Sequence, residues 1–241
     1  MTEVEGTVRC EDLPSGVRVV TLRRPASRNA LTPSMLVSLE EAVSPHVGVR
    51  ALVVEGEGTA FCAGYDLQWL EEDAVAGRAP DAQLQQVFRA LEEAPCPSVA
   101  VVRGAAFGAG CELACACDFR VGSPDTVLCL PPLKLGIVYA AAGVWRLAQL
   151  VGLQRAREML LTGRTVGSEM ALRWGLLDRV EADAVAAGRL LAEELAESAP
   201  LAMAGTRLLL RRLSRIALSE ADRLELEAVL CVGGSWVAAG L

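Results

Sequence analysis

Two stretches of small residues, each set between a buried-type strand and a helix, constrain this chain more than any other feature. The first is Phe61-Cys62-Ala63-Gly64-Tyr65-Asp66-Leu67, after the run ALVVE at 51–55; the second runs from Gly104 to Glu112, after SVAVV at 98–102. Turns of this kind let backbone come close to another group. Following strands and preceding helices, their N–H groups converge at the carboxyl edge of a sheet, where ligands bind in open α/β folds. Two N–H groups aimed at one point form an oxyanion hole, in which a fixed donor is worth on the order of 3 kcal/mol to a developing oxyanion. A glycine-rich string by itself is often only a structural turn; the pair carries more weight than either member.

The rest of the chain reads as an α/β core. Residues 17–22 (VRVVTL) and 51–55 are short β-branched strands, with helical spacing over 33–43 between them. The spacing predicts a second helix over 81–93, stopped by Pro95 and Pro97, and then the strand 98–102. Past the glycine-rich turn, 111–117 reads as an apolar helix, and 119–122 leads to another short strand. From Ala141 the pattern turns helical, over 142–151, 155–161, 168–174, 184–198 and, with breaks, 201–230. Alternating strands and helices followed by helices predict one α/β unit with a helical appendage, its core placed at 1–190 and the helical region at 191–241.

Composition removes several function classes. A formal charge of -7 argues against a broad basic face for nucleic acid or anionic lipid. No apolar stretch reaches the roughly 18 residues of a membrane span. The acidic start Met1-Thr2-Glu3-Val4-Glu5 lacks a secretory h-region, so a cytoplasmic setting with reduced thiols is expected for the 8 cysteines. Cys111, Cys115 and Cys117 lack zinc spacing and read as small buried hydrophobes, and no metal is expected. His46, the sole histidine, follows Pro45 in a turn-like stretch and reads as a solvated loop residue, which argues against Ser-His-Asp catalysis.

At this point the sequence resembles the crotonase, or enoyl-CoA hydratase/isomerase, superfamily. The blocks are RPASRNAL (24–31), FCAGYDL (61–67), RGAAFGAGCELACACDFRV (103–121), LGIVYAAAGVWRLAQLVG (135–152) and LLTGRTVGSEMALRWGLLDRV (160–180), in the family's order and spacing. The resemblance implies a spiral of ββα units with a C-terminal helical trimerisation region, assembled as a homotrimer or dimer of trimers. It implies an acyl-CoA thioester substrate, with coenzyme A part of that substrate and no separate cofactor. The oxyanion donors carried over are the backbone N–H groups of Tyr65 and Ala109. Ala26, Arg28, Ala30, Ala63, Asp66 and Leu67 match positions around the adenine and pantetheine, and Arg24 or Arg28 is a candidate for a CoA phosphate. Glu112 matches the first catalytic glutamate of the hydratases, and a carboxylate beside an apolar turn suits acid–base work; the plainer alternative is a helix N-terminal glutamate.

Two departures from the family pattern and one likeness to a branch of it shape the functional expectation. The second hydratase glutamate falls at Pro132, which transfers no proton. Just beyond Lys134, Gly136-Ile137-Val138-Tyr139 is similar to the Gly-Val-Pro-Tyr stretch of the methylmalonyl-CoA decarboxylase branch, where a tyrosine positions the departing carboxylate. The chain stops at Leu241, short of the helix that helps cover CoA. The leading expectation is an acyl-CoA enzyme that stabilises a thioester enolate, with malonyl-type decarboxylation as its model, Glu112 and Tyr139 as the catalytic pair, and Pro132 and Tyr139 lining the acyl pocket. Packing of Tyr139 as a plain apolar wall and Lys134 as a carboxylate binder stay open. So do a hydratase or isomerase using Glu112, with Asp66 or Glu71 as further acids, and a non-catalytic CoA-ester-binding or assembly protein.

Overall fold

The structure, a computed structural model, describes residues 6–69 and 81–215. Strand β1 (Thr7–Asp12) turns back antiparallel onto β2 (Val17–Arg23), which starts a run of parallel neighbours: β3 (Ala51–Gly56), β4 (Ser98–Val102), β6 (Phe119–Gly122) and β9 (Arg179–Val180). The register Val19↔Val53↔Val99 and Val20↔Val54↔Ala100 puts like-facing residues side by side. Odd and even positions point to opposite faces, and both faces are buried. Val20, Leu22, Leu52, Val54, Ala100 and Val102 pack beneath helices α1 (Pro33–Val43), α2 (Asp81–Glu93) and α3 (Ala109–Ala116). Val17, Val19, Ala51, Val53, Val99, Val101 and Val121 pack under α7 (Ala184–Ala196). Burial on both sides is why these strands read as continuous apolar runs rather than alternating ones.

The parallel strands β2, β3, β4 and β6 then feed a second, shorter layer. β4 leads to β5 (Ala105–Phe107) and β6 to β7 (Val127–Cys129), which pair in parallel, with β8 (Thr165–Gly167) antiparallel beyond. The segments after β2 and β3 extend the layer through two parallel bridges, Cys62↔Ala106 and Leu31↔Tyr65. A strand in the large sheet, a strand or bridge in the small layer and a helix make up the turns of a ββα spiral, the architecture that the family resemblance implies. Helices α4 (Ala141–Val151), α5 (Leu153–Thr162), α6 (Ser168–Trp174) and α8 (Pro200–Arg215) complete the described chain.

Local chemistry explains the helix starts. Thr32 caps α1, its side chain accepting from the Met35 N–H at 3.2 Å with Pro33 in the first turn, and Asp183 caps α7 by accepting from the Ala186 N–H at 3.0 Å. Gly188 brings α7 close to the sheet, since a β-carbon there would lie 2.4 Å from Val101 Cγ2.

Three sequence readings shift. The glycine-rich turn at 104–110 contains β5, and the following helix starts at Ala109 rather than at Cys111. Ala-Ala-Phe has no strand signature of its own; pairing with Val127–Cys129 makes it one. The helix from 184 ends at Ala196 instead of continuing to 198. Residue 190 lies inside α7, whose buried Gly188, Leu191, Ala192 and Ala196 sit on the sheet, so that helix belongs with the core. Of the expected helix over 201–230, α8 accounts for the part up to Arg215; the remainder and Leu241 lie outside the described residues.

Candidate functional site

The two small-residue turns meet. Cys62 N–H donates to Ala105 O at 3.1 Å, and Phe107 N–H donates to Cys62 O at 2.9 Å. Glycine is required at both crossings. A β-carbon on Gly64 would lie 2.8 Å from Phe107 O and 3.5 Å from Ala109 N, and one on Gly110 would lie 2.3 Å from Cys62 O. Gly64 (φ +105) and Gly108 (φ +52) also occupy backbone conformations that side chains oppose.

This packing sets the two expected donors. Ala109 is the first residue of α3, with Gly108 as its N-cap, so its N–H has no acceptor within the helix. The Leu31–Tyr65 bridge is made by the neighbours of Tyr65: Leu31 N–H donates to Gly64 O at 2.8 Å and Asp66 N–H to Leu31 O at 2.9 Å. The amide of Tyr65 therefore faces away from Leu31. The helix N-terminus adds its partial positive charge at Ala109.

Tyr139 is partly buried against the core, and its hydroxyl sits over the turn: a β-carbon on Gly108 would be 3.5 Å from it. Pro132 is buried and opens a 3-10 turn, Pro132–Leu135, three residues beyond Cys129, whose carbonyl accepts from Gly108 N–H at 2.9 Å. The side chain of Lys134 lies outside the described ones, as does Glu71.

Glu112 is buried in the first turn of α3, at 5 % exposure. Its surroundings differ from the apolar setting expected of it. Arg146 Nη1 donates to its Oε1 at 3.3 Å, and Gln85 Nε2 donates to the same oxygen at 3.1 Å. The carboxylate is pressed on the first turn of α4, where a β-carbon on Gly143 would come within 2.2 Å of Oε1. Arg146, Gln85 and Gly143 were not singled out from the sequence. The available signal was a lone arginine in the apolar segment AAGVWRLAQLV.

The expected CoA positions form one loop system. Asn29 is fully buried; its Oδ1 accepts from Arg24 N–H, and its Nδ2 donates to Glu57 O and Ala60 O at 2.9 and 2.8 Å. That amide holds Arg28 and Asn29 in left-handed backbone at φ 50 and 56. Ala26, Arg28 and Leu67 are exposed, Ala63 is half-buried, and Ala30 is buried. The two arginines offered for a CoA phosphate, Arg24 and Arg28, are placed differently. Arg24 is buried and ion-paired with Asp66, so its charge is directed inward, while Arg28 faces solvent. Burial by itself would push Asp66 up, but the Arg24 hydrogen bond, the amides of Gln68 and Trp69 and the Arg24 charge together hold it below the usual carboxylate range.

The remaining candidates are structural in their placement. His46 is exposed, its Nε2 2.9 Å from Glu41 O. Cys111, Cys115 and Cys117 are buried thiols, and among the described residues no group of three or more His, Cys, Asp or Glu is arranged to hold a metal ion. Among the same residues no helix is long and apolar enough to cross a membrane.

The comparisons with known proteins point to one family. The family model described as "Enoyl-CoA hydratase/isomerase" matches residues 12–230. "Probable enoyl-CoA hydratase echA6" of Mycobacterium leprae is 38% identical over 194 residues, 78% of this chain and 76% of the relative. "Carnitinyl-CoA dehydratase" of Escherichia coli is 39% identical over 193 residues, 76% of this chain and 71% of that one. A methylmalonyl-CoA decarboxylase solved in complex with 2-nitronate-propionyl-CoA superposes with a TM-score of 0.85 over 95% of this chain and 90% of its own; at 22% identity this likeness concerns the fold alone. By its sequence, its ββα spiral and its two interlocked turns, the chain belongs to the enoyl-CoA hydratase/isomerase family of acyl-CoA enzymes, the crotonase superfamily.

Proposed function

We propose that this protein binds an acyl-CoA thioester with its carbonyl oxygen between the N–H groups of Tyr65 and Ala109, and that it decarboxylates a malonyl-type ester. The bond between the α-carbon and the carboxylate breaks, CO2 leaves, and the electron pair moves into the thioester as an enolate whose oxygen the two amides stabilise. The α-carbon then takes a proton from water. Coenzyme A is carried by the exposed loop around Ala26, Arg28, Ala63 and Leu67, with Ala30 and the Arg24–Asp66 pair supporting it from below. The observation that carries this reading is the Tyr139 hydroxyl beside Gly108, one residue before the proposed donor Ala109.

Hydration asks more of the site. It uses two carboxylates to place and split water, and Pro132 stands where the second is expected. Loss of CO2 generates the enolate without a general base, so Glu112 and Tyr139 suffice. Tyr139 orients the departing carboxylate, and Glu112 acts as a fixed acceptor.

A second reading, hydration or isomerisation through Glu112, is supported by the names of the hydratase and dehydratase relatives. The two separate in one experiment. Purified protein is incubated with crotonyl-CoA, a 3-enoyl-CoA, malonyl-CoA and methylmalonyl-CoA, and products are followed by mass. Loss of CO2, abolished in Tyr139→Phe, is the expected result; gain of water on crotonyl-CoA establishes the second reading. Binding without turnover on every ester makes the chain a CoA-ester-binding or assembly protein. Homotrimers or paired trimers in cytoplasm belong to the same proposal, and sedimentation equilibrium measures the first.

A further inference from the structure

The Glu112 carboxylate is the buried end of a chain of ion pairs across three helices, whose other end, Glu92, is partly exposed. Arg146 on α4 reaches Glu112 on α3 at 3.3 Å and Glu92 on α2 at 2.7 Å. The arginine side chain is 9 % exposed, and its guanidinium carbon lies 5.4 Å from the Phe88 ring centre, so it is packed rather than presented to a ligand. Glu92 is anchored in turn, its carbonyl accepting from Arg211 Nη1 on α8 at 3.1 Å.

Three features act on one carboxylate oxygen. Arg146 and Gln85 both donate to Glu112 Oε1, and the N-terminal turn of α4, bare at Gly143, lies against it. Each aims a donor or the positive end of a helix at that oxygen. A buried carboxylate held this way is an acceptor with a fixed direction.

We infer that Arg146 is a positioning residue that fixes the direction of the Glu112 carboxylate in the acyl site, with Glu92 as the strut that aims Arg146. In its kinetic part this rests on the proposed acyl-CoA site; the ion pairing itself does not. Within the proposed reaction Glu112 receives hydrogen bonds and orients groups at the α-carbon, and it does not supply the proton that replaces CO2.

A double-mutant cycle tests this. Arg146→Gln, Arg146→Lys, Glu112→Gln and the double variant Glu112→Gln/Arg146→Gln are compared in thermal midpoint and in kcat and KM on the ester that the unchanged protein turns over. Removing only the arginine leaves a buried uncompensated charge. Arg146→Gln is therefore expected to melt lower, and adding Glu112→Gln to recover part of that loss. In turnover, Arg146→Gln loses kcat on the order of tenfold with KM little changed, Arg146→Lys recovers part of it, and the double variant is no worse than Glu112→Gln. Additive losses, or an Arg146→Lys as impaired as Arg146→Gln, overturn the inference. If no ester is turned over, the functional reading fails while the melting cycle still decides the pairing. If Arg146→Gln does not fold, the double variant is expected to restore folded protein, and failure to do so counts against the pairing.

Discussion

Gly64 and Phe107 are packed so closely that a single added methyl would alter the site: a β-carbon on Gly64 would lie 2.8 Å from Phe107 O, with Ala109 N in ordinary contact at 3.5 Å. The backbone at Gly64 has φ +105, which an L side chain opposes independently of space. Gly64→Ala is expected to destabilise the fold by about 1–3 kcal/mol and to lose most turnover, because the strain is relieved by moving the segment that carries Tyr65. Chemical denaturation together with the ester assay measures both. Wild-type stability and turnover in this variant would show that the two turns are not coupled.

Ala109→Pro separates the donor from the fold. Proline is tolerated in the first turn of a helix, where the missing N–H has no intrahelical acceptor anyway, and Ala109 holds that position. Circular dichroism and the melting curve should stay close to wild type. Turnover should fall by at least about 100-fold if the N–H serves the oxyanion. An active Ala109→Pro protein removes Ala109 from the proposed pair of donors.

The Arg24–Asp66 pair predicts a pH dependence. Asp66 is held below the ordinary carboxylate range in the folded protein. A carboxyl with a depressed folded pKa stabilises the fold above its unfolded value, about 3.9, and that contribution is lost as pH falls through the folded value. The melting difference between wild type and Asp66→Asn should therefore be greatest near neutrality, begin to shrink below about pH 4 and approach zero in stronger acid. A difference that is constant over that range would assign the loss to packing instead.

Cys62 lies inside the crossing of the two turns, yet it should be chemically silent. Burial pushes its thiol up to about 12, so it holds almost no thiolate at neutral pH. Brief treatment of the native protein with iodoacetamide at pH 8, followed by peptide mapping, should leave Cys62 and Cys117 unlabelled, because burial also pushes Cys117 up to about 12. Exposed Cys10 should label ahead of both. Rapid labelling of Cys62 would mean that the turns open in solution.

The sequence by itself determined strands at 17–22, 51–55 and 98–102, each within one residue of those in the structure, and the helices between them, because apolar periodicity and proline stops are local signals. It also located the two small-residue turns, since glycine and alanine mark close backbone approach whatever surrounds them. Tertiary structure alone decided the short layer. Ala105–Phe107 and Val127–Cys129 are strands because they pair with each other, and three-residue segments carry too little pattern to announce that. It alone decided the setting of Glu112 as well. Arg146 and Gln85 are 34 and 27 residues away along the chain, and only the stacking of α2, α3 and α4 brings their donors to one carboxylate oxygen. The fate of Arg24, turned inward to Asp66 across 42 residues, was decided in the same way. Charge partners are chosen by distance in space, and the sequence records only distance along the chain.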